Sequence, residues 1–99
     1  MAYHVAFVEP VRVYLAGVEG LSPTDRAAVV NGVIEELSHD AERFLALRPL
    51  AHEALCFLYD YPHPTEQAMY DFDFVVDASH LEMGVVQVVY VECSRRPMQ

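Results

Sequence analysis

The stretch MYDFDFVVD (residues 69–77) alternates in polarity almost without interruption: Tyr70, Phe72, Phe74 and Val76 fall on one parity, and Asp71, Asp73 and Asp77 on the other. A period of two marks a half-buried β-strand, whose successive side chains point to opposite faces. Similar runs flank it. ALCFLYDYP (54–62) precedes it and MGVVQVVYVEC (83–93) follows it, joined through PHPTEQ and ASHLE, so the C-terminal half predicts a three-strand meander. With PHPTEQ as a hairpin loop, Asp60 lies opposite Asp71, Tyr61 opposite Tyr70, Tyr59 opposite Phe72 and Phe57 opposite Phe74. That register gathers the aromatic side chains on one face. Carried across the next turn, it adds Val86, Val88 and Tyr90 to the aromatic face and leaves Asp60, Asp71 and Asp73 together on the other.

Working outward, YHVAFVEP (3–10) reads as an opening strand with Tyr3, Val5 and Phe7 on one parity and Pro10 at its end. Val11, Tyr14, Leu15 and Val18 then stand at i, i+3, i+4 and i+7, which predicts a first helix of about two turns closing near Gly17 and Gly20. A second helix begins at Pro23: Ser22 is suited to cap the free amides, proline loses nothing at the first helical position, and Asp25 favours the positive end of the dipole. Its apolar face is Val30, Val33, Ile34 and Leu37, with Val29 beside them. Gly32 in mid-helix costs about 1 kcal/mol relative to alanine and is expected to mark close packing against the first helix. DAERFLALRPL (40–50) predicts one more short helical turn, capped by Asp40 and stopped by Pro49. The resulting order is β-α-α-β-β-β, an α+β fold in which a helical hairpin packs on one side of a small, mainly antiparallel sheet.

The 99 residues suffice for one domain, 1–99, with one modest core, and 54% hydrophobic composition with six tyrosines and five phenylalanines supplies its material. The opening MAYHVAFVEP lacks a basic segment followed by a long apolar run, and no apolar stretch approaches the ~20 residues that cross a bilayer. A soluble, cytoplasmic protein with no membrane association is therefore expected. Cys56 and Cys93 lie in apolar strand-like runs and read as buried free thiols. Fifteen Asp and Glu oppose six arginines and no lysine, for a formal charge of −9. A surface of that sign repels the phosphate backbone and disfavours direct nucleic-acid binding, while leaving a basic protein partner open.

Several constellations bear on function. Asp60 opposite Asp71, with Asp73 diagonally close, is either the solvated polar face of a one-sided sheet or a divalent-cation site of hard oxygen ligands. His4, His39, His52, His63 and His80 have none of the local spacings that zinc sites use, and each reads as structural, His63 as the decoration of a turn between two prolines. No glycine-rich phosphate loop and no GxSxG elbow occurs, and no cofactor is expected. SRRPMQ (94–99) carries the one basic cluster, Arg95 and Arg96, which is either a phosphate or acidic-partner clamp or a frayed solvated terminus.

The element order, the opening strand YHVAFVEP, the capped helix SPTDRAAVVNGVIEELSHD and the closing pattern CFLYDY, YDFDFVVDAS, GVVQVVYVECS together resemble the RelE/ParE toxin superfamily of bacterial type II toxin–antitoxin systems over nearly the whole chain. The resemblance implies a small intracellular toxin, either a ribosome-dependent mRNA endonuclease or a gyrase inhibitor, neutralised by an antitoxin segment that wraps it. Nuclease members place lysines, arginines and often a histidine or tyrosine on the exposed concave sheet. By position, only Tyr90, Arg95 and Arg96 approximate the C-terminal part of such a catalytic site in this chain. The reading that follows is a diverged acidic member acting through protein binding, with nuclease activity weak or lost. The alternatives are a ribosome-dependent endonuclease that retains those three residues, and an acidic inhibitor or nucleic-acid mimic whose carboxylates occupy a basic protein's phosphate sites.

Overall fold

A computed structural model describes residues 3–47, 49–51 and 54–98, with side-chain detail for 3–39 and 55–98. The order is β1 (His4–Phe7), α1 (Glu9–Ala16), α2 (Pro23–Leu47), β2 (Pro49–Ala51), β3 (Ala54–Pro62), β4 (Ala68–Asp77), a 3₁₀ turn (Leu81–Met83) and β5 (Val85–Pro97). Among the described residues the strands form one five-stranded sheet in the order β1-β5-β4-β3-β2. It is mixed: β1 runs parallel to β5, and every other pairing is antiparallel. The chain is therefore α+β. β2 was not expected, because three residues are too few to show alternation; its Pro49 opens an edge strand, a place where a missing N–H is tolerated.

The meander register is the one the alternation predicts, with Phe57 opposite Phe74, Tyr59 opposite Phe72, Asp60 opposite Asp71 and Tyr61 opposite Tyr70. Phe74, fully buried, sits at the centre of the inner face: Phe72 stacks on it at 5.9 Å, Phe57 lies at 6.3 Å and Phe7 meets it edge-on at 6.5 Å. Val5, Phe7, Val86 and Val88 extend the apolar layer, and α1 and α2 cover it through Val11, Leu15, Val29, Val33 and Leu37. Tyr90 departs from expectation. A bulge places both Val88 and Tyr90 beside consecutive residues of β4, Val76 and Val75, and leaves Val89 without a partner. One inserted residue inverts the parity, so Val91 enters the core while Tyr90 turns outward and is 51% exposed.

α2 starts where the capping signals place it. Ser22 Oγ accepts the Asp25 N–H at 3.1 Å and Asp25 Oδ2 accepts the Ser22 N–H at 2.9 Å, a reciprocal cap in which aspartate takes the acidic role. The helix does not stop near Asp40; it continues unbroken to Leu47. Residues 40–47 carry good helix formers and neither glycine nor proline, so no second cap is needed; the Asp40 side chain itself lies outside the described residues. Pro10 is in the first turn of α1 and does not end β1, which stops at Phe7. Gly32 faces the sheet and not α1: a Cβ there would run into the Tyr59 phenol.

Candidate functional site

β5 continues through Pro97 in register with β4, Tyr70 opposite Arg95 and Met69 opposite Arg96, so the arginines sit on a paired strand and not on a frayed tail. Consecutive strand residues point to opposite faces. Arg95 lies on the helix side, where its Nε donates to Glu66 Oε1 at 3.2 Å; Arg96 lies on the outer side, where its Nε donates to Asp71 Oδ2 at 2.7 Å. Tyr90 shares the outer face with Arg96 but stands six positions away, roughly 20 Å along an extended chain. Its hydroxyl donates to Glu92 Oε1 at 2.6 Å. The three residues are thus not brought together at one point, and each engages a carboxylate of its own.

The outer face carries the acidic row. Asp60 faces Asp71, and Asp73 faces a fourth carboxylate, Glu92, that the hairpin register alone did not supply. The hydrogen bond to Asp71, with burial and the Asp71 charge behind it, pushes the Asp60 carboxyl up from the usual range. The Arg96 guanidinium holds Asp71 down. Asp71 Oδ1 is sealed from solvent, and Asp60 is the side chain that faces Asp71 across the β3–β4 ladder. A cavity of about 360 Å³ opens here among Leu58, Asp60, Asp71, Asp73, Glu92 and Ser94. Among the described residues no group of three or more His, Cys, Asp or Glu side chains is arranged to hold a metal ion. Arg96 already occupies the Asp71 carboxylate that such a site would need.

The other polar assembly was not anticipated. His63 is only 9% exposed and links three segments instead of decorating a turn. Its Nδ1 accepts the N–H groups of Thr65 at 3.2 Å and Glu66 at 3.1 Å, which assigns the proton to Nε2. Nε2 lies 3.0 Å from the Gly20 carbonyl and 3.2 Å from Asp25 Oδ2. Asp25 also accepts the Tyr61 hydroxyl at 2.7 Å, and Tyr70 donates to Glu66 Oε1 at 3.0 Å, where Arg95 also binds. The Ser22 amide, with the Tyr61 hydroxyl next, holds Asp25 below the ordinary carboxylate range. Burial, followed by the Asp25 bond, pushes Tyr61 up to about 12. Both ring nitrogens of His63 are engaged and the ring is closed to solvent, so this network ties the α1–α2 loop, the N-terminus of α2 and the β3–β4 hairpin together, and leaves no room for general-base chemistry. The one sequence signal for it was the rigid Pro62-His63-Pro64 turn near a helix whose cap already used Asp25.

A third feature is the groove of about 600 Å³ between α1 and the far half of β5, with Val13, Tyr14, Val18 and Cys93 in its wall and Arg95 at its end. Tyr14 Oη accepts the Cys93 N–H at 2.9 Å across it. Burial raises the Cys93 thiol above its ordinary value, so that thiol is not an activated nucleophile. No family model, no curated protein and no solved structure matches this chain.

Proposed function

We propose that this chain is a RelE/ParE-like toxin-superfamily domain of a bacterial toxin–antitoxin system that acts in the cytoplasm by binding protein, its nuclease activity weak or lost. The supporting observation is the division of the arginines: Arg95 and Arg96 project to opposite faces and each is neutralised by a carboxylate, so neither is free to stabilise charge on a transferred phosphate. The outer sheet face, where a nuclease member would concentrate cations, instead pairs Asp60 with Asp71 and Asp73 with Glu92. Exposed apolar side chains stand together on α1 and β5, at Val13, Tyr14 and Tyr90, the kind of surface that protein partners cover. Among the described residues no helix is long and apolar enough to cross a membrane. The α+β arrangement, with both helices over one face and a meander beneath, fits the same reading.

Inducible expression in a bacterial host tests it, following growth, translation and mRNA integrity together. Arrest with intact mRNA, unchanged in the Arg95→Ala/Arg96→Ala variant, is the expected result. Cleaved mRNA that disappears in that variant would replace the proposal with an endonuclease. Normal growth with folded protein present would remove the toxin assignment.

A further inference from the structure

β1 accompanies β5 only from Val85 to Val88; beyond Phe7 the chain turns into α1, while β5 runs on beside β4 to Pro97. Residues 89–97 are therefore a sheet edge. The Cys93 N–H points away from β4, since it reaches Tyr14 on α1. In an antiparallel ladder alternate residues share that direction, so the backbone groups of Val91 and Arg95 face outward with it. Pro97, next in the series, has no N–H to offer and closes the edge. Three of the exposed large apolar side chains flank this stretch: Val13 at 63%, Tyr14 at 41% and Tyr90 at 51%. The edge thus presents backbone donors and acceptors between an apolar groove on the α1 side and a polar outer side.

Charge selects the occupant. Arg12 and Arg26 are hydrogen-bonded to the carbonyls of Phe7 and Ala16, and Arg95 and Arg96 to Glu66 and Asp71. Among the described residues Glu92 and Asp73, facing one another on the outer side, pair with no cation, Glu92 accepting only the Tyr90 hydroxyl, and Glu19 lines the groove. A second copy of the chain would add another −9 to this surface.

Resting on the protein-binding reading above and naming its partner chemistry, we propose that the free edge of β5 docks an extended cationic segment of a partner protein, which adds as a further strand. Its alternate side chains are apolar, toward the groove of Val13, Tyr14 and Val18, and basic, toward Glu92. Backbone bonds to Val91, Cys93 and Arg95 supply affinity, and the two kinds of side-chain position supply specificity. The Tyr14 hydroxyl holds the Cys93 amide until the incoming carbonyl replaces it.

The test is amide hydrogen exchange on the whole chain with three synthetic peptides: one alternating valine and lysine, one of the same composition in two blocks, and one alternating valine and glutamate. The valine–lysine alternating peptide is expected to slow exchange at Val91, Cys93 and Arg95 at least about tenfold, and the other two are not. Tyr14→Phe, which removes the competing hydroxyl, is expected to tighten that peptide several-fold. Equal protection by the block or the glutamate peptide, or no protection in protein whose urea unfolding is intact, overturns the proposal. So does protection of these amides that rises with protein concentration alone, since the edge is then taken by a second copy. The readout needs no growth phenotype: a non-toxic protein that still shows alternation-dependent protection keeps the docking site and loses only the toxin assignment.

Discussion

Gly32 offers a double-mutant cycle in which two known effects oppose each other. In the middle of α2 the glycine forfeits about 1 kcal/mol of helix propensity, so Gly32→Ala on an unobstructed face stabilises by about that amount. Here the added Cβ meets Tyr59 at its hydroxyl and ring carbon Cζ. Overpacking of this kind costs about 1–3 kcal/mol. The obstruction is the far end of a side chain, which is half-buried and able to swing, so the cost stays within that range. The single variant should therefore fall between neutral and roughly 2 kcal/mol less stable, the sum of the propensity gain and the overlap cost. In a Tyr59→Leu background the phenol is gone and the same substitution should stabilise by about 1 kcal/mol. The coupling, roughly 1–3 kcal/mol, is read from urea midpoints and slopes of the four proteins at one temperature. Equal stabilisation in both backgrounds would mean that Gly32 does not face the sheet, and the packing of α2 on β3 would have to be redrawn.

Three further outcomes follow from the polar assemblies. His63→Phe keeps an aromatic ring, slightly larger, but strands the Gly20 carbonyl and two hairpin amides, so urea unfolding should show a loss of about 3 kcal/mol. Asp25 is held below its ordinary value in the fold; its contribution is complete above the unfolded carboxylate value of about 3.9 and is lost as pH falls through the folded one. Tyr61→Phe weakens that depression, so the acid limb of a stability-versus-pH curve should shift toward higher pH. Asp60 has the opposite sign: its folded value is raised, so its contribution is present below the unfolded value and lost as pH rises through the folded one. Asp60→Asn should raise the urea midpoint near neutral pH and leave it unchanged near pH 3, and a lowered midpoint at neutral pH would contradict a raised Asp60 carboxyl.

What could be read from the sequence was local and periodic. Alternation in residues 54–77 was strong enough to set the β3–β4 register residue by residue, because a slip of one would have buried Asp71 and Asp73 and exposed Phe72 and Phe74. The Ser22-Pro23-x-Asp25 start of α2 was legible for the same reason: capping is a short-range hydrogen-bonding problem. The length of α2 was not, since Asp40 resembles a cap and only the absence of a breaker after it carries the helix onward. His63 was misread because its partners Gly20 and Asp25 come from 43 and 38 positions earlier in the chain, by difference of the residue numbers, and nothing in a proline-flanked turn announces them. Arg95 and Arg96 were misread as one cluster because adjacency in sequence was taken for adjacency in space, which a β-strand denies.

The bulge at Val89 connects these features. Before it, β5 sends Val86 and Val88 inward and pairs on both sides, with β1 and β4. If Val89 took a regular place opposite Val75, the same alternation would carry Tyr90, Glu92, Ser94 and Arg96 toward the helices, and charged side chains would enter the layer that Val91 fills. That arrangement is costly enough that the strand would end near Val88. The inserted residue lets β5 continue, directs Tyr90, Glu92, Ser94 and Arg96 to the outer face, and gives Arg96 its contact with Asp71. It also carries the strand past the end of β1, which creates the unpaired edge. Deleting Val89 should remove the bulge and keep the ladder, with Val88 opposite Val76 and Tyr90 opposite Val75, so in hydrogen-exchange measurements the amides of Glu92, Ser94 and Arg96, which face β4, should keep their slow exchange. A deletion variant that loses the pairing of Arg95 with Tyr70 would show that Val89 is not the extra residue that sets the parity of the outer half of the strand.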